Sequence, residues 1–352
     1  MSNNVDINTK KIKYISEIAN QKRSRISLKD CIDDIFLKEI ELKLFSACQT
    51  SENFDQEKKD IILGTYGETD NRKISEKTPF DLASLTKALF TAPAFYELFF
   101  TKQLDKNDSL SGFFPEFSGD ITLFEVLSHT SGFPPWIPFY DRVYRKLDIE
   151  QRKIAVKKMI LETKQGEKTY LYSDFNYILL GFILEKIYHK DLGKILEEFI
   201  SRNNLPKMTF GTKEKAPLTA FSSLRNRFPQ GDVEDENCYF LGGKTGHAGL
   251  FASAQTVKNY MTKLINIKWF QTVGNDLDFP GFDRPRGEDS NYGNNSHPGM
   301  IGHLGFTGTA FLSDPKKNKT AVILTNSTHP TPEKTLRKER IRKVRQMYFE
   351  MV

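Results

Sequence analysis

The sequence predicts an α+β fold: an antiparallel sheet built from N- and C-terminal segments, flanked by helices, with a mainly helical lobe beside it. Three observations predict it. Strand-like runs sit near both ends of the chain, "LFSACQTS" and "KKDIILGTYG" at one, "GFTGTAFLSD" and "KTAVILTN" at the other. Helical patterns fill the stretch between them. Strands and helices do not alternate, which argues against a doubly wound parallel sheet. The chain has 352 residues, 38% hydrophobic and 27% charged, which suits a globular protein with a substantial core.

Residues 1–26 read as a polar extension, with a helix expected over Lys10–Gln21. Residues 27–352 read as a single domain, whose helical lobe spans roughly 90–255. Ser27 is placed to cap a helix that runs towards Phe45. The first two strands follow, joined by the polar "ENFDQE". A buried helix is expected from near Ser84 to Phe100, kinked or broken at Pro93 because proline lacks the N–H that a helix interior needs. "LSHTSGFPPW" ends a short helix in a Gly/Pro loop. Asp174–Tyr188 reads as a second buried helix and Ser253–Ile265 as a Ser-capped one, with a loop-rich stretch over 203–246. Residues 287–299 are a Gly/Asn/Ser loop. The terminal hairpin is expected from Gly305–Asp314 and Lys319–Asn326 around "PKKN".

The net charge is +6 and dispersed. The densest basic run, Lys334–Gln346, carries apolar residues at helical spacing, so it reads as an amphipathic helix with a solvated basic face. No base-stacking or groove-reading motif accompanies it, and no nucleic-acid partner is expected. Cys31, Cys48 and Cys238 are odd in number and match no zinc spacing, so free thiols in a reducing compartment are expected. The N-terminus lacks a signal-peptide apolar core, and the longest apolar runs, such as Tyr177–Leu184, are too short to span a bilayer. A cytoplasmic protein without a membrane partner is the expectation. The 28 Phe residues read as core packing.

Three motifs carry chemistry. Ser84-Leu85-Thr86-Lys87 puts a serine and a lysine on one helix face, a turn apart. A serine needs a base to take its proton, and a desolvated lysine, its pKa lowered, can serve. Tyr172-Ser173-Asp174 precedes a buried helix, and a tyrosine beside a lysine can shuttle a proton. Gly302-His303-Leu304-Gly305-Phe306 leads into the first terminal strand, where glycine admits a substrate and backbone N–H groups can meet a developing oxyanion.

Together these motifs resemble the serine β-lactamase and penicillin-binding-protein superfamily, in particular its class C β-lactamase-like branch, marked by S-x-x-K, then Y-x-N or a variant, then K-T-G or H-x-G. "LSHTSGFP", "YSDFNYILLG", "GGKTGHAGLF" and "FTGTAFLSDP" look familial too. The resemblance covers roughly residue 27 to the C-terminal helix. It implies a β-lactamase/transpeptidase-like fold and a hydrolase acting through a Ser84 acyl-enzyme. Lys87 and Tyr172 would be its coupled base. N–H groups of Ser84 and Phe306 would form the oxyanion hole, with Asp174, His303 and Gly305 at the substrate. No metal or cofactor is implied. The partner would be a small-molecule ester, amide or peptide.

Asp174 stands where the β-lactamase pattern has an amide, and its carboxylate would favour the charged form of Lys87; His303 stands where many β-lactam enzymes have a lysine. Both departures point to an esterase-type member. A β-lactamase, a D-amino-acid peptidase or amidase acting on cell-wall fragments, and a non-catalytic ligand-binding relative are the alternatives. Two competing motifs fail. Gly243-Lys244-Thr245 lacks the earlier glycine of a P-loop, because that position is Cys238, and there is no G-x-S-x-G nucleophile elbow. Lys244-Thr245-Gly246 leads into a helix rather than a strand edge. It is therefore expected to be a structural turn, with His303-Leu304-Gly305 as the third motif.

Overall fold

The computed structural model describes residues 28–54, 60–285, 290–331 and 336–351. The expected extension 1–26, with its helix over Lys10–Gln21 and the Ser27 cap, lies outside the described residues.

The main sheet has six antiparallel strands. They are β1 (Ala47–Glu52), β2 (Ile62–Gly67), β3 (Asp70–Lys73), β7 (Ile301–Leu304), β8 (Ala310–Asp314) and β9 (Lys319–Thr325), in the order β3-β2-β1-β9-β8-β7. The two ends of the chain meet at its centre, where β1 pairs β9 from Cys48↔Thr325 to Glu52↔Ala321. Asn326 Oδ1 secures the junction by accepting the Ser46 and Ala47 N–H groups, each at 3.0 Å. A smaller sheet, β4 (Phe80–Asp81), β6 (Leu250–Ala252) and β5 (Thr209–Phe210), sits beneath the helical region.

The central strands are buried on both faces, and the two-residue period of a strand divides their side chains between two cores. Phe311, Val322 and Leu324 enter a large core shared with the helices. Ala310, Leu312, Ala321 and Ile323 face a second core with Phe36, Phe45 and Tyr348. The second core is covered by α1 (Leu28–Glu41) and by the C-terminal helix Leu336–Met351.

Between the strands lie α2 (Ala92–Phe100), α3 (Leu110–Phe113), α4 (Leu123–Leu127), α5 (Phe139–Arg142), α6 (Ile149–Glu162), α7 (Asp174–Tyr188), α8 (Leu192–Arg202), α9 (Glu236–Phe240), α10 (Ala254–Leu264) and α11 (Lys268–Leu277). The C-terminal helix is α12. Ser253 caps α10, its side chain accepting the Thr256 N–H. Pro93 falls in the first turn of α2, and the preceding Lys87–Thr91 is wound as a π-turn in which the Ala92 N–H reaches back to Lys87 O.

Three expectations change. The strand expected over Gly305–Asp314 begins only at Ala310. Residues 305–309 are a tight turn closed by Gly305 N–H to Thr309 O at 2.7 Å. Gly308 has a φ of +92° there, and a Cβ on it would meet Ser327 Oγ and Thr325 Oγ1 at 2.3 Å. His303 lies on its own edge strand, β7, paired with Phe311 of β8. The basic helix α12 is also less solvated than its pattern suggests. Its apolar stripe packs on the sheet and carries Arg345 inward, leaving that residue 7% exposed. No described helix is long and apolar enough to cross a membrane. Cys48 and Cys238 are buried free thiols, and burial raises the pKa of both.

Candidate functional site

Ser84 stands in the turn between β4 and the π-turn, directly after Ala83, whose φ is +46°. The wide turn carries Lys87 to a wholly buried position. Its Nζ donates to Ser84 Oγ at 2.8 Å and to the His247 carbonyl at 3.3 Å. The same Nζ lies 2.8 Å from Asp174 Oδ1 and 4.8 Å from the centre of the Tyr172 ring. Burial alone would push the ammonium pKa down, but Asp174 and Tyr172 outweigh it and hold the pKa above the ordinary lysine range. The expected lowering of the Lys87 pKa is thereby corrected: Asp174 keeps this lysine charged.

Tyr172 reaches the pair from the segment that enters α7, and its hydroxyl interacts with both Lys87 and Ser84. Burial raises its pKa, and the Lys87 charge offsets this only in part. The Tyr172 ring packs on His129 at 4.6 Å between centroids. His129 Nδ1 accepts the Ser173 N–H at 3.1 Å, so the ring proton sits on Nε2. Burial, then the charge of Lys87, holds the His129 pKa well below the ordinary range, and the ring is neutral. The "LSHTSG" loop therefore braces the tyrosine segment.

His303 is 3% exposed, and its ring centre lies 6.2 Å from that of Tyr172. Its Nδ1 lies 2.8 Å from Leu304 O, which accepts the Nδ1 proton. Burial lowers its pKa, so the neutral ring keeps an Nε2 lone pair. Ser84, Tyr172, Asp174, His303, Gly305 and Phe306 line one cavity of about 980 Å³. Trp136, Tyr170 and Phe221 line it as well and are exposed. The arrangement places a hydroxyl, a buried ammonium and a phenol in contact at a cavity floor, a combination suited to nucleophilic attack on an acyl carbon.

Sequence reasoning missed His129, Asp235, His247 and Arg345. Asp235 and Arg345 line the cavity, and His247 is buried behind it with Nε2 at 3.1 Å from Asp235 Oδ1. The available signal was a histidine inside each of two glycine-bearing loops. Asp174, Asp235 and His247 present ligand-type atoms within 4.8 Å of one another. The Lys87 ammonium already compensates Asp174 there. Lys244 lies outside this cluster: it is half exposed and pairs with Asp191 at 2.8 Å. Gly246 beside it packs against α7 so closely that a Cβ would lie 2.1 Å from Tyr177 O.

Residues 56–346 match the family model named Beta-lactamase. A Salmonella agona (strain SL483) protein, provisionally named D-alanyl-D-alanine carboxypeptidase, is 29% identical over 304 residues, 72% of this chain and 70% of that protein. The N-acetylmuramyl-L-alanine amidase of Bacillus subtilis (strain 168) is 29% identical over 312 residues, 73% of this chain and 70% of that protein. Among solved structures, EstCE1, a hydrolase with promiscuous acyltransferase activity, aligns at a TM-score of 0.69 and 16% identity, covering 94% of this chain and 100% of its own. A class C β-lactamase aligns at a TM-score of 0.66 and 15% identity over 93% of this chain and 100% of its own. The fold is thus shared with enzymes of differing names, and the family match spans most of the sequence: the chain belongs to the β-lactamase-like serine hydrolase family.

Proposed function

We propose that this chain hydrolyses small esters through a Ser84 acyl-enzyme. The observation that carries the reading is the contact of Lys87 Nζ with Ser84 Oγ at 2.8 Å on the floor of an open cavity. An ammonium cannot accept a proton, so the charge that Asp174 maintains on Lys87 leaves Tyr172 to take the Ser84 proton. Tyr172 does so as its phenolate, which Lys87 stabilises before the transfer and which becomes the phenol as Ser84 Oγ attacks. The Ser84 and Phe306 N–H groups donate to no described residue, which leaves both available to a carbonyl oxygen turning into an oxyanion. Attack by Ser84 Oγ expels the alcohol, which receives the Tyr172 proton. Water, losing a proton to Tyr172, then hydrolyses the acyl-enzyme. The ester preference is supported by the neutral His303 and by the carboxylate at Asp174, which offers no amide donor.

A second reading, amide or peptide cleavage in a carboxylate-bearing substrate, is supported by Arg345. Its guanidinium lines the cavity, is nearly buried, and makes no hydrogen bond or ion pair with a described residue. The names of the Salmonella and Bacillus relatives agree with that chemistry.

A fluorophosphonate probe with intact-mass detection tests the first reading. Wild-type protein gains one adduct and the Ser84→Ala variant none. Equal labelling of both, or none of the wild type, overturns it. Turnover of nitrophenyl esters against a chromogenic cephalosporin and peptides ending in D-alanine then ranks the substrates. Inert esters beside an active peptide or cephalosporin would reverse the order proposed.

A further inference from the structure

Asp81 ends β4, three residues before Ser84, and is 4% exposed. Each of its carboxylate oxygens accepts a backbone N–H. Oδ1 takes the Ala83 N–H at 2.9 Å, and Oδ2 takes the Glu234 N–H at 2.6 Å. The first bond closes the turn in which Ala83 adopts its positive φ, a region unfavourable to alanine. The second bond leads into the cavity wall. Asp235, the next residue, accepts the Cys238 N–H on Oδ1 at 2.7 Å, and the same oxygen lies 3.1 Å from His247 Nε2. His247 leads back to the site, because its carbonyl accepts Lys87 Nζ at 3.3 Å. Lys87 in turn donates to Ser84 Oγ. The links close into a circuit: Asp81, Ala83–Ser84, Lys87, His247, Asp235–Glu234, and Asp81 again. Thr245 Oγ1, 2.8 Å from His247 Nδ1, and Thr86 Oγ1, donating to Ala83 O at 2.8 Å, brace it.

We infer that Asp81 is a positioning residue for the Ser84–Lys87 pair, its carboxylate fixing the strained turn before Ser84 and the Asp235–His247 strut behind Lys87 in one register. The inference rests on the reading of Ser84 as the nucleophile. Asp81 is not among the cavity-lining residues and acts through Ser84 and Lys87. The geometry requires an acceptor on both oxygens. A protonated carboxyl or a carboxamide turns hydrogen towards one of the two N–H groups and opens the circuit.

The requirement makes the site sensitive to acid. Burial raises the Asp81 pKa to about 6, against the lowering by its two N–H bonds. The charged and titratable groups facing it are Glu234 and Asp235 from the cavity wall, the Cys238 thiol of α9, and Arg225 beyond them. Burial, and next the charge of Asp81, also raise Glu234, to about 8. Asp81 must be ionised to hold the circuit. The arrangement is therefore intact above that pKa and is lost as pH falls through it.

The test is the rate of Ser84 acylation by a nitrophenyl ester, followed from about pH 4.5 to about pH 8. On top of the rise set by Tyr172 ionisation, the wild type is expected to show a steeper acid limb near the Asp81 pKa. Asp81→Asn should slow acylation about tenfold or more at neutral pH with KM within about twofold, and should lack that limb. Asp235→Asn should also be slowed but retain the limb. A wild type without an acid limb there, an Asp81→Asn rate equal to wild type, or an Asp81→Asn profile that keeps the limb overturns the inference. If Asp81→Asn does not fold, the wild-type limb and the Asp235→Asn rate decide. Ser84→Ala labelling as well as wild type would remove the nucleophile reading instead, a result separate from any of these.

Discussion

Asp174 Oδ1 lies 2.8 Å from Lys87 Nζ, and the lysine side chain has no exposure to solvent. The contact decides the protonation state on which the site's chemistry turns. A buried lysine alone would shed its proton, but the carboxylate reverses that tendency.

Exchanging Asp174 for asparagine should therefore release the lysine. The Lys87 pKa falls because burial is no longer opposed by the carboxylate. The alkaline rise in kcat/KM, set in the wild type by Tyr172, should then begin about one pH unit or more lower, because a neutral Lys87 can take the Ser84 proton instead. A pH–rate profile of Asp174→Asn checks this. An unchanged profile would mean that Asp174 does not set the charge of Lys87.

Tyr172→Phe should lower kcat by about 100-fold or more, the usual worth of a positioned proton acceptor. Stacking on His129 involves the ring and not the hydroxyl, so Tm should hold. In the wild type the acceptor must be deprotonated. Its raised pKa therefore makes activity climb with pH throughout the neutral and mildly alkaline range. Steady-state kinetics with thermal denaturation of the variant separates the two effects.

Lys244→Ala and His303→Ala should part company. Lys244 makes one half-exposed ion pair with Asp191, a kind of contact worth about 0–1 kcal/mol, and kinetics should be near wild type. His303 lines the cavity from β7, and its loss should reduce kcat/KM by about tenfold. Reversed results would move the third motif to residues 244–246.

Arg345→Met should raise KM for carboxylate-bearing substrates by about tenfold or more and leave neutral esters unaffected. A nearly buried cation without a close counter-ion is costly, so the variant should melt no lower than wild type. Equal KM changes for charged and neutral substrates would argue against anion recognition.

Much of the fold was legible in the sequence because local pattern and burial agree. The apolar run after Asp174 and the Ser253 cap mark α7 and α10 at their observed starts. The alternation in "KTAVILT" could not be read by period, because β9 is buried on both faces, yet its β-branched content and flanking turn marked a strand. The boundary of β8 was missed because Gly305–Thr309 has strand-like composition, while its backbone is committed to a turn by contacts with β9 and Leu82. Arg345 was taken for part of a solvated face because helical spacing alone does not reveal the residues, Asp283 and Tyr292 among them, that lie beside it.

The sequence by itself determined the residue types of the site and their order: a serine and lysine at S-x-x-K spacing, then Tyr172 and Asp174, then His303 ahead of a terminal hairpin. Tertiary structure decided which of the possible states each group holds. The charge of Lys87 depends on an aspartate 87 residues away, delivered by the packing of α7 against the π-turn. The neutrality of His129 and His303 depends on burial that no local pattern records. "GGKTGHAGL" shows the division most clearly. Its lysine matches a known motif and is half exposed beside Asp191, whereas the His247 carbonyl holds Lys87 at the cavity floor because Gly246 lets the loop approach α7. Spacing along a chain encodes which groups are available; charge state and contact are set by the dielectric and the neighbours that folding supplies.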